Sequence, residues 1–169
     1  MKIVADENIP LVRRFFSEFA EVVELPGRAI SSNDLKDAEI LIVRSITQVN
    51  ESLLNGTPVK FVGSCTIGMD HIDTDYLDKQ KIRYTNAPGC NANAVVDYVM
   101  ATLLSHYGSR QLRKKQLGIV GFGAFGQLAA RHLGEHFEIS AYDPSPGLAN
   151  VAQQLGVTPS SLHSVSQAD

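Results

Sequence analysis

The stretch Leu117–Asp143, LGIVGFGAFGQLAARHLGEHFEISAYD, decides the fold. It opens with an apolar run, Leu117–Val120, followed by Gly121, Gly123 and Gly126 in GxGxxG spacing. A helix-like segment runs on to His132, and a second apolar run, Phe137–Tyr142, ends on Asp143. Strand, glycine turn, helix, strand and carboxylate is the order a dinucleotide site needs. Gly121 permits the tight turn, Gly123 lets the backbone approach a pyrophosphate, and Gly126 lets the helix lie close on the strand. Unpaired amides at the start of the helix, with the positive end of its dipole, favour an anion there without a basic side chain. Asp143 follows Gly121 by 22 residues, where a carboxylate accepts from both ribose hydroxyls and repels a 2′-phosphate. The expected cofactor is therefore NAD rather than NADP.

Working outward, the preceding half alternates short apolar runs with helical ones. Lys2–Ala5, Glu21–Leu25, Ile40–Val43, Lys60–Gly63 and Ile82–Thr85 read as strands, with Ile40–Val43 continuously apolar as a strand buried on both faces must be. Pro10 marks a helix start, and Leu11, Val12, Phe15, Phe16 and Phe19 are expected to form one buried helical face. Helices are also expected over Asn50–Leu54 and Asp75–Lys79. The alternation predicts a small doubly wound sheet.

Ligands of such sheets bind beyond the carboxyl ends of the strands, which directs attention to Asp6–Asn8, Arg44–Thr47, Ser64–Asp70 and Asn86–Asn91. Their hydroxyls, glycines and arginine suit a hydroxylated anion. On position alone, Ser45 and Thr66 read equally well as turn and cap residues. Asp70, His71 and Asp73 read as a capping segment rather than a metal cluster, and His71 as an exposed loop histidine rather than a base.

Asn91–Tyr107 is the most apolar helix, with Asn91 as its expected N-cap and an apolar arc wide enough to meet more than one body. Arg110–Lys115, RQLRKK, reads as a solvated connection, since it lacks the interleaved aromatics of a nucleic-acid surface. After Asp143, Pro144–Gly147 turns the chain, a helix follows to about Leu155, and Ser160–Asp169 begins a helix or turn.

Composition bounds the function. At 169 residues, 44% hydrophobic and 20% charged, with a net charge of -3, the chain reads as globular, with nucleic acid and anionic membranes unexpected as partners. No apolar run approaches a membrane span, no signal-peptide pattern opens the chain, and a cytoplasmic location is expected. Cys65 and Cys90 read as reduced thiols; no metal is expected.

DENIP at Asp6–Pro10, PGR at Pro26–Arg28, VRSIT and VNESLL within Val43–Leu54, KFVGSCTIGMDHID at Lys60–Asp73, NAPGCNANAVVDYV at Asn86–Val99 and GIVGFGAFG at Gly118–Gly126 together resemble the NAD-dependent D-isomer-specific 2-hydroxyacid dehydrogenases. The resemblance runs the length of the chain. It implies an α/β chain: a flavodoxin-like N-terminal domain over 1–90, an interdomain and dimerisation helix over 91–109, and the first part of a truncated Rossmann NAD-binding domain over 110–169. It further implies oxidation of the C2 hydroxyl of a small phosphorylated hydroxyacid, by a homodimer. Ser45 and Thr66 match substrate-binding positions. Gly121, Gly123, Ala124, Phe125 and Gly126 match the pyrophosphate turn, and Asp143 the ribose ligand. Members of the family carry a catalytic arginine and a histidine–glutamate pair that match nothing here and are expected beyond Asp169; the chain alone is then expected to be inactive and to bind NAD weakly. Asp97 stands where the family more often has Glu. Two alternatives remain open: a non-catalytic ligand-binding or dimerising fragment, and a dehydrogenase for another 2-hydroxyacid such as phosphoglycerate.

Overall fold

Five strands, β1 (Lys2–Asp6), β2 (Glu21–Leu25), β3 (Ile40–Val43), β4 (Phe61–Ser64) and β5 (Arg83–Thr85), pair in parallel in the order β2-β1-β3-β4-β5 in a computed structural model of the chain. The structure describes residues 1–107 and 115–168. Side chains alternate across the sheet, as the twofold period of a strand requires. Val4, Leu41, Val43 and Val62 belong to one core, while Ile3, Ala5, Val22 and Ile42 belong to another. The strand order is that of flavodoxin, with the winding reversing between β1 and β3.

Three short helices, α1 (Val12–Phe16), α2 (Glu51–Leu54) and α3 (Thr74–Gln80), complete this unit. Asn50 caps α2 by accepting from the Leu53 amide at 3.2 Å, and Asp73 caps α3 by accepting from Tyr76 at 3.0 Å. The buried face expected for Leu11, Val12, Phe15, Phe16 and Phe19 does not form. Only Val12 is buried, whereas Phe15 is 63% and Phe19 70% exposed. Helix α1 is five residues long, enough for one inward position, and Leu11 stands outside it at φ 61°. The amides of Phe19 and Ala20 then fold back on Phe16 O in a turn.

The second unit, Gly89–Asp169 against Met1–Pro88, contains α4 (Ala92–Tyr107), β6 (Lys115–Val120), α5 (Ala124–Leu133), β7 (Phe137–Tyr142), α6 (Gly147–Gln154), β8 (Thr158–Pro159) and α7 (Leu162–Val165). Its sheet is parallel, β6-β7-β8, which is the 3-2-1 half of a Rossmann fold read in reverse. Ile119, Phe122, Ala130, Leu133, Ile139, Ala141 and Val157 make its core, against which α4 lays Val96, Val99, Met100 and Leu103. Tyr98 and Leu104 of α4 remain exposed. The Asn91 carbonyl accepts the amide of Val95 at 3.1 Å, as an N-cap residue does. Of the basic stretch Arg110–Lys115, residues 110–114 lie outside the described residues. Lys115 opens β6 with its ammonium 4.9 Å from the Tyr107 ring centroid.

Gly126 fixes how closely α5 lies on the sheet, because a Cβ there would run into the carbonyl oxygen of Gly121. Backbone cannot yield as a flexible side chain does. Gly126→Val is expected to destabilise the second unit by about 1–3 kcal/mol, read as faster hydrogen exchange in β6 and α5 with the first unit unchanged. Unchanged exchange in those elements would contradict this packing.

Candidate functional site

The glycine turn and Asp143 come together through strand register. Val120 pairs with Tyr142, so the residues that follow, Gly121 and Asp143, leave the sheet side by side. The Gly121 amide donates to Tyr142 O at 2.8 Å, and Gly121 takes φ 94°, the left-handed region that a side chain would strain. The Phe122 amide then donates to Asp143 Oδ2 at 2.7 Å, and the Ser145 amide to Oδ1 at 2.8 Å. These two amides, Phe122 first, hold the Asp143 carboxyl below its ordinary range, so it is ionised at neutral pH. A carboxylate has about four acceptor positions, so these two amide bonds do not exhaust its capacity for a further donor.

Gly123 is the N-cap of α5 and contributes no side chain. A Cβ built on Gly123 would meet nothing within 4 Å, which leaves open space before the first turn of α5. The amides of Ala124, Phe125 and Gly126 occupy that first turn, where a helix has no internal acceptors. Open space, amide donors, a helix dipole and an adjacent carboxylate form a cradle that fits the pyrophosphate and ribose of a dinucleotide.

In the first unit, Ser45 and Thr66, expected from the sequence, line one cavity of about 400 Å³ with Gln48, Gly68, Asp70 and His71. The cavity lies past the carboxyl ends of β3 and β4, which pair residue for residue from Ile40↔Phe61 to Val43↔Ser64. Next to it, Asp6 is fully buried at the end of β1. Its Oδ1 accepts from the Asn8 amide at 2.9 Å and its Oδ2 from Arg44 Nε at 3.1 Å. Both Nη groups of Arg44 have no partner among the described residues, and the side chain is 34% exposed. The buried carboxylate thus holds a guanidinium whose outer donors are left for an anion.

His71 is not the exposed loop residue expected from the sequence. It is 6% exposed, and its Nε2 lies 3.0 Å from Ser64 Oγ. Neither residue carries a local signal that predicts this. Burial follows from the bridge between Val49 and Ile72, in which the Val49 amide donates to His71 O and the Asp73 amide to Val49 O, both at 2.8 Å. Asp73 is engaged as a helix cap. Cys65 and Cys90 are both exposed, and neither is in a disulfide.

The model of the family described as D-isomer specific 2-hydroxyacid dehydrogenase, catalytic domain, matches residues 3–168. The chain belongs to this family. Among curated 2-hydroxyacid dehydrogenases, the erythronate-4-phosphate dehydrogenase of Cellvibrio japonicus is 49% identical over 150 residues, covering 88% of this chain and 39% of that protein. The erythronate-4-phosphate dehydrogenase of Azotobacter vinelandii is 55% identical over 129 residues, 75% of this chain and 34% of that protein. The chain therefore spans between a third and two fifths of these relatives' lengths. Among solved structures, cofactor (NAD+) bound 3-phosphoglycerate dehydrogenase of Entamoeba histolytica aligns with a TM-score of 0.68 at 29% identity, over 85% of this chain and 54% of that one. The D-lactate dehydrogenase of Aquifex aeolicus, complexed with NAD and lactic acid, shares the fold with a TM-score of 0.70 at 21% identity, over 98% of this chain and 57% of that one.

Burial of the His71 ring pushes its pKa below the ordinary value of about 6.5, and the Asp70 charge opposes the shift. The unfolded chain then takes up a proton more readily than the folded one. The stabilisation is fully present above the unfolded pKa and is lost as pH falls towards the folded value. The urea midpoint of the first unit is expected to fall between about pH 7 and pH 5, with a shallower fall in His71→Gln. Equal slopes in the two proteins would contradict a buried neutral imidazole.

Proposed function

We propose that this chain supplies the substrate-binding loops and the NAD-binding turn of a 4-phosphoerythronate dehydrogenase of pyridoxal 5′-phosphate biosynthesis. The reaction is oxidation of 4-phospho-D-erythronate at C2, giving (3R)-3-hydroxy-2-oxo-4-phosphooxybutanoate. The observation that carries the reading is the 49% identity to the Cellvibrio japonicus enzyme over 150 residues, a length that must include residues from both units. When bound, NAD supplies the hydride acceptor. Gly121, Gly123, Ala124, Phe125 and Gly126 hold its pyrophosphate through backbone amides, and Asp143 accepts from the adenosine ribose. Ser45 and Thr66 bind the hydroxyacid, and Arg44 offers its outer donors to one of the two anionic ends. None of these residues acts as the catalytic acid or base.

We infer a homodimer and a cytoplasmic setting. The exposed Tyr98 and Leu104 of α4 support the first, as apolar surface available to a second subunit. For the second, the support is that the curated relatives are metabolic enzymes and that no helix among the described residues is long and apolar enough to cross a membrane. A second substrate reading, 3-phosphoglycerate, is favoured by the likeness to the Entamoeba histolytica structure.

NADH formation by the full-length protein separates the two substrates. The expected kcat/KM for 4-phospho-D-erythronate exceeds that for 3-phospho-D-glycerate by roughly tenfold or more, and the reverse ranking would overturn the assignment. For the cofactor, Asp143→Ala is expected to weaken NAD binding by roughly 10–100-fold and to narrow the preference over NADP. Calorimetric titration with wild-type affinities for both nucleotides would remove Asp143 from the site.

A further inference from the structure

Ser64, Thr66 and His71 form a hydrogen-bonded row to which the reading above gives no role beyond Thr66 itself. Ser64 is buried at the end of β4, with its Oγ 2.7 Å from Thr66 Oγ1 on one side and 3.0 Å from His71 Nε2 on the other. Thr66 is half-buried and lines the cavity, with the Gly68 carbonyl 3.3 Å from its hydroxyl. The Val49–Ile72 bridge fixes the main chain at His71, and the ring, 6% exposed, is held by burial and by its contact with Ser64.

A hydroxyl has one proton to give, so the row has two possible polarities. With the imidazole proton on Nε2, His71 donates to Ser64 and Ser64 to Thr66, leaving the Thr66 proton free. With the proton on Nδ1, Nε2 accepts from Ser64 and Ser64 accepts from Thr66, so only lone pairs face the cavity. An anionic oxygen is attracted by the first arrangement and repelled by the second.

We propose that His71 is a positioning residue for the substrate: carrying its proton on Nε2, it turns the Ser64 hydroxyl towards Thr66 and so presents Thr66 to an anionic ligand as a donor. This rests on the reading that Thr66 touches the substrate. The Gly68 carbonyl, at a long 3.3 Å, is the resting acceptor of the Thr66 proton and is readily exchanged for a stronger one. The ring is neutral at neutral pH because burial lowers its pKa, which makes the place of its single proton decisive.

The test combines a spectroscopic and a kinetic measurement on the full-length protein. Imidazole ¹⁵N shifts of the wild type, with and without 4-phospho-D-erythronate, are expected to report the Nε2–H tautomer at His71. His71→Leu and Ser64→Ala are each expected to raise KM roughly tenfold with little change in kcat, and the double variant no further, because the two act through one row. His71→Gln, whose side-chain amide puts an N–H near the same point, is expected to restore KM to near wild type. An Nδ1–H tautomer in the liganded wild type, a wild-type KM in Ser64→Ala, or failure of His71→Gln to restore KM would each overturn the proposal. Should the wild type not act on 4-phospho-D-erythronate, the proposed function fails separately. The tautomer, and the affinity for inorganic phosphate in Ser64→Ala against wild type, then decide the role of His71: Nε2–H with weakened binding supports it, and Nδ1–H or unchanged binding overturns it.

Discussion

Parallel strand pairing is the constraint on which both units depend. Every strand pair in either sheet is parallel, so the carboxyl ends in each unit open on one edge and the loops that follow them gather there. In the first unit this brings Asp6, Arg44, Ser45, Thr66 and His71 to one edge although they are scattered over 66 positions, Asp6 to His71 inclusive. The Asp6–Arg44 pair lies where the winding reverses, between neighbouring strands β1 and β3. A fully buried carboxylate is costly without a partner, so the pair ties the end of one strand to the end of the next and orients the guanidinium.

Register does the same in the second unit. The pairing of β6 with β7 brings Gly121 beside Asp143, and the Phe122 amide closes the remaining gap to the carboxylate. The 22-residue spacing visible in the sequence is thus the length of the glycine turn, helix α5, a short loop and strand β7, which together bring the chain back to the same edge of the sheet. Backbone amides, not basic side chains, line the start of α5. The composition, with a net charge of -3, therefore gives no hint of them.

Where the determinants were local, the sequence was legible. The continuous apolar run Ile40–Val43 announced a strand covered on both faces, and the three glycines announced the turn with its conformation and close packing. Strand-end position leaves Ser45 and Thr66 open between turn or cap residues and ligand contacts, and only the resemblance favours the latter; the structure brings both to one cavity. What stayed hidden was set at long range. Helical spacing in Leu11–Phe19 carried no information on where the helix would stop, and a five-residue helix leaves three phenylalanines outside the core. His71 is buried by a bridge to Val49, 22 positions earlier, and the Asp6–Arg44 pair could be foreseen only once β1 and β3 were known to be neighbours. Strand β8 is two residues long and ends in Pro159, too short for any period to register.

Backbone amides at the start of α5, together with Asp143, are the groups proposed to bind NAD. Titrating NAD into the ¹⁵N-labelled chain and following its amide resonances tests this most directly. The largest shifts are expected on Phe122–Gly126 and on Asp143 with its neighbour Ser145. Shifts concentrated elsewhere in the chain, or none at these residues at saturating NAD, would contradict that assignment.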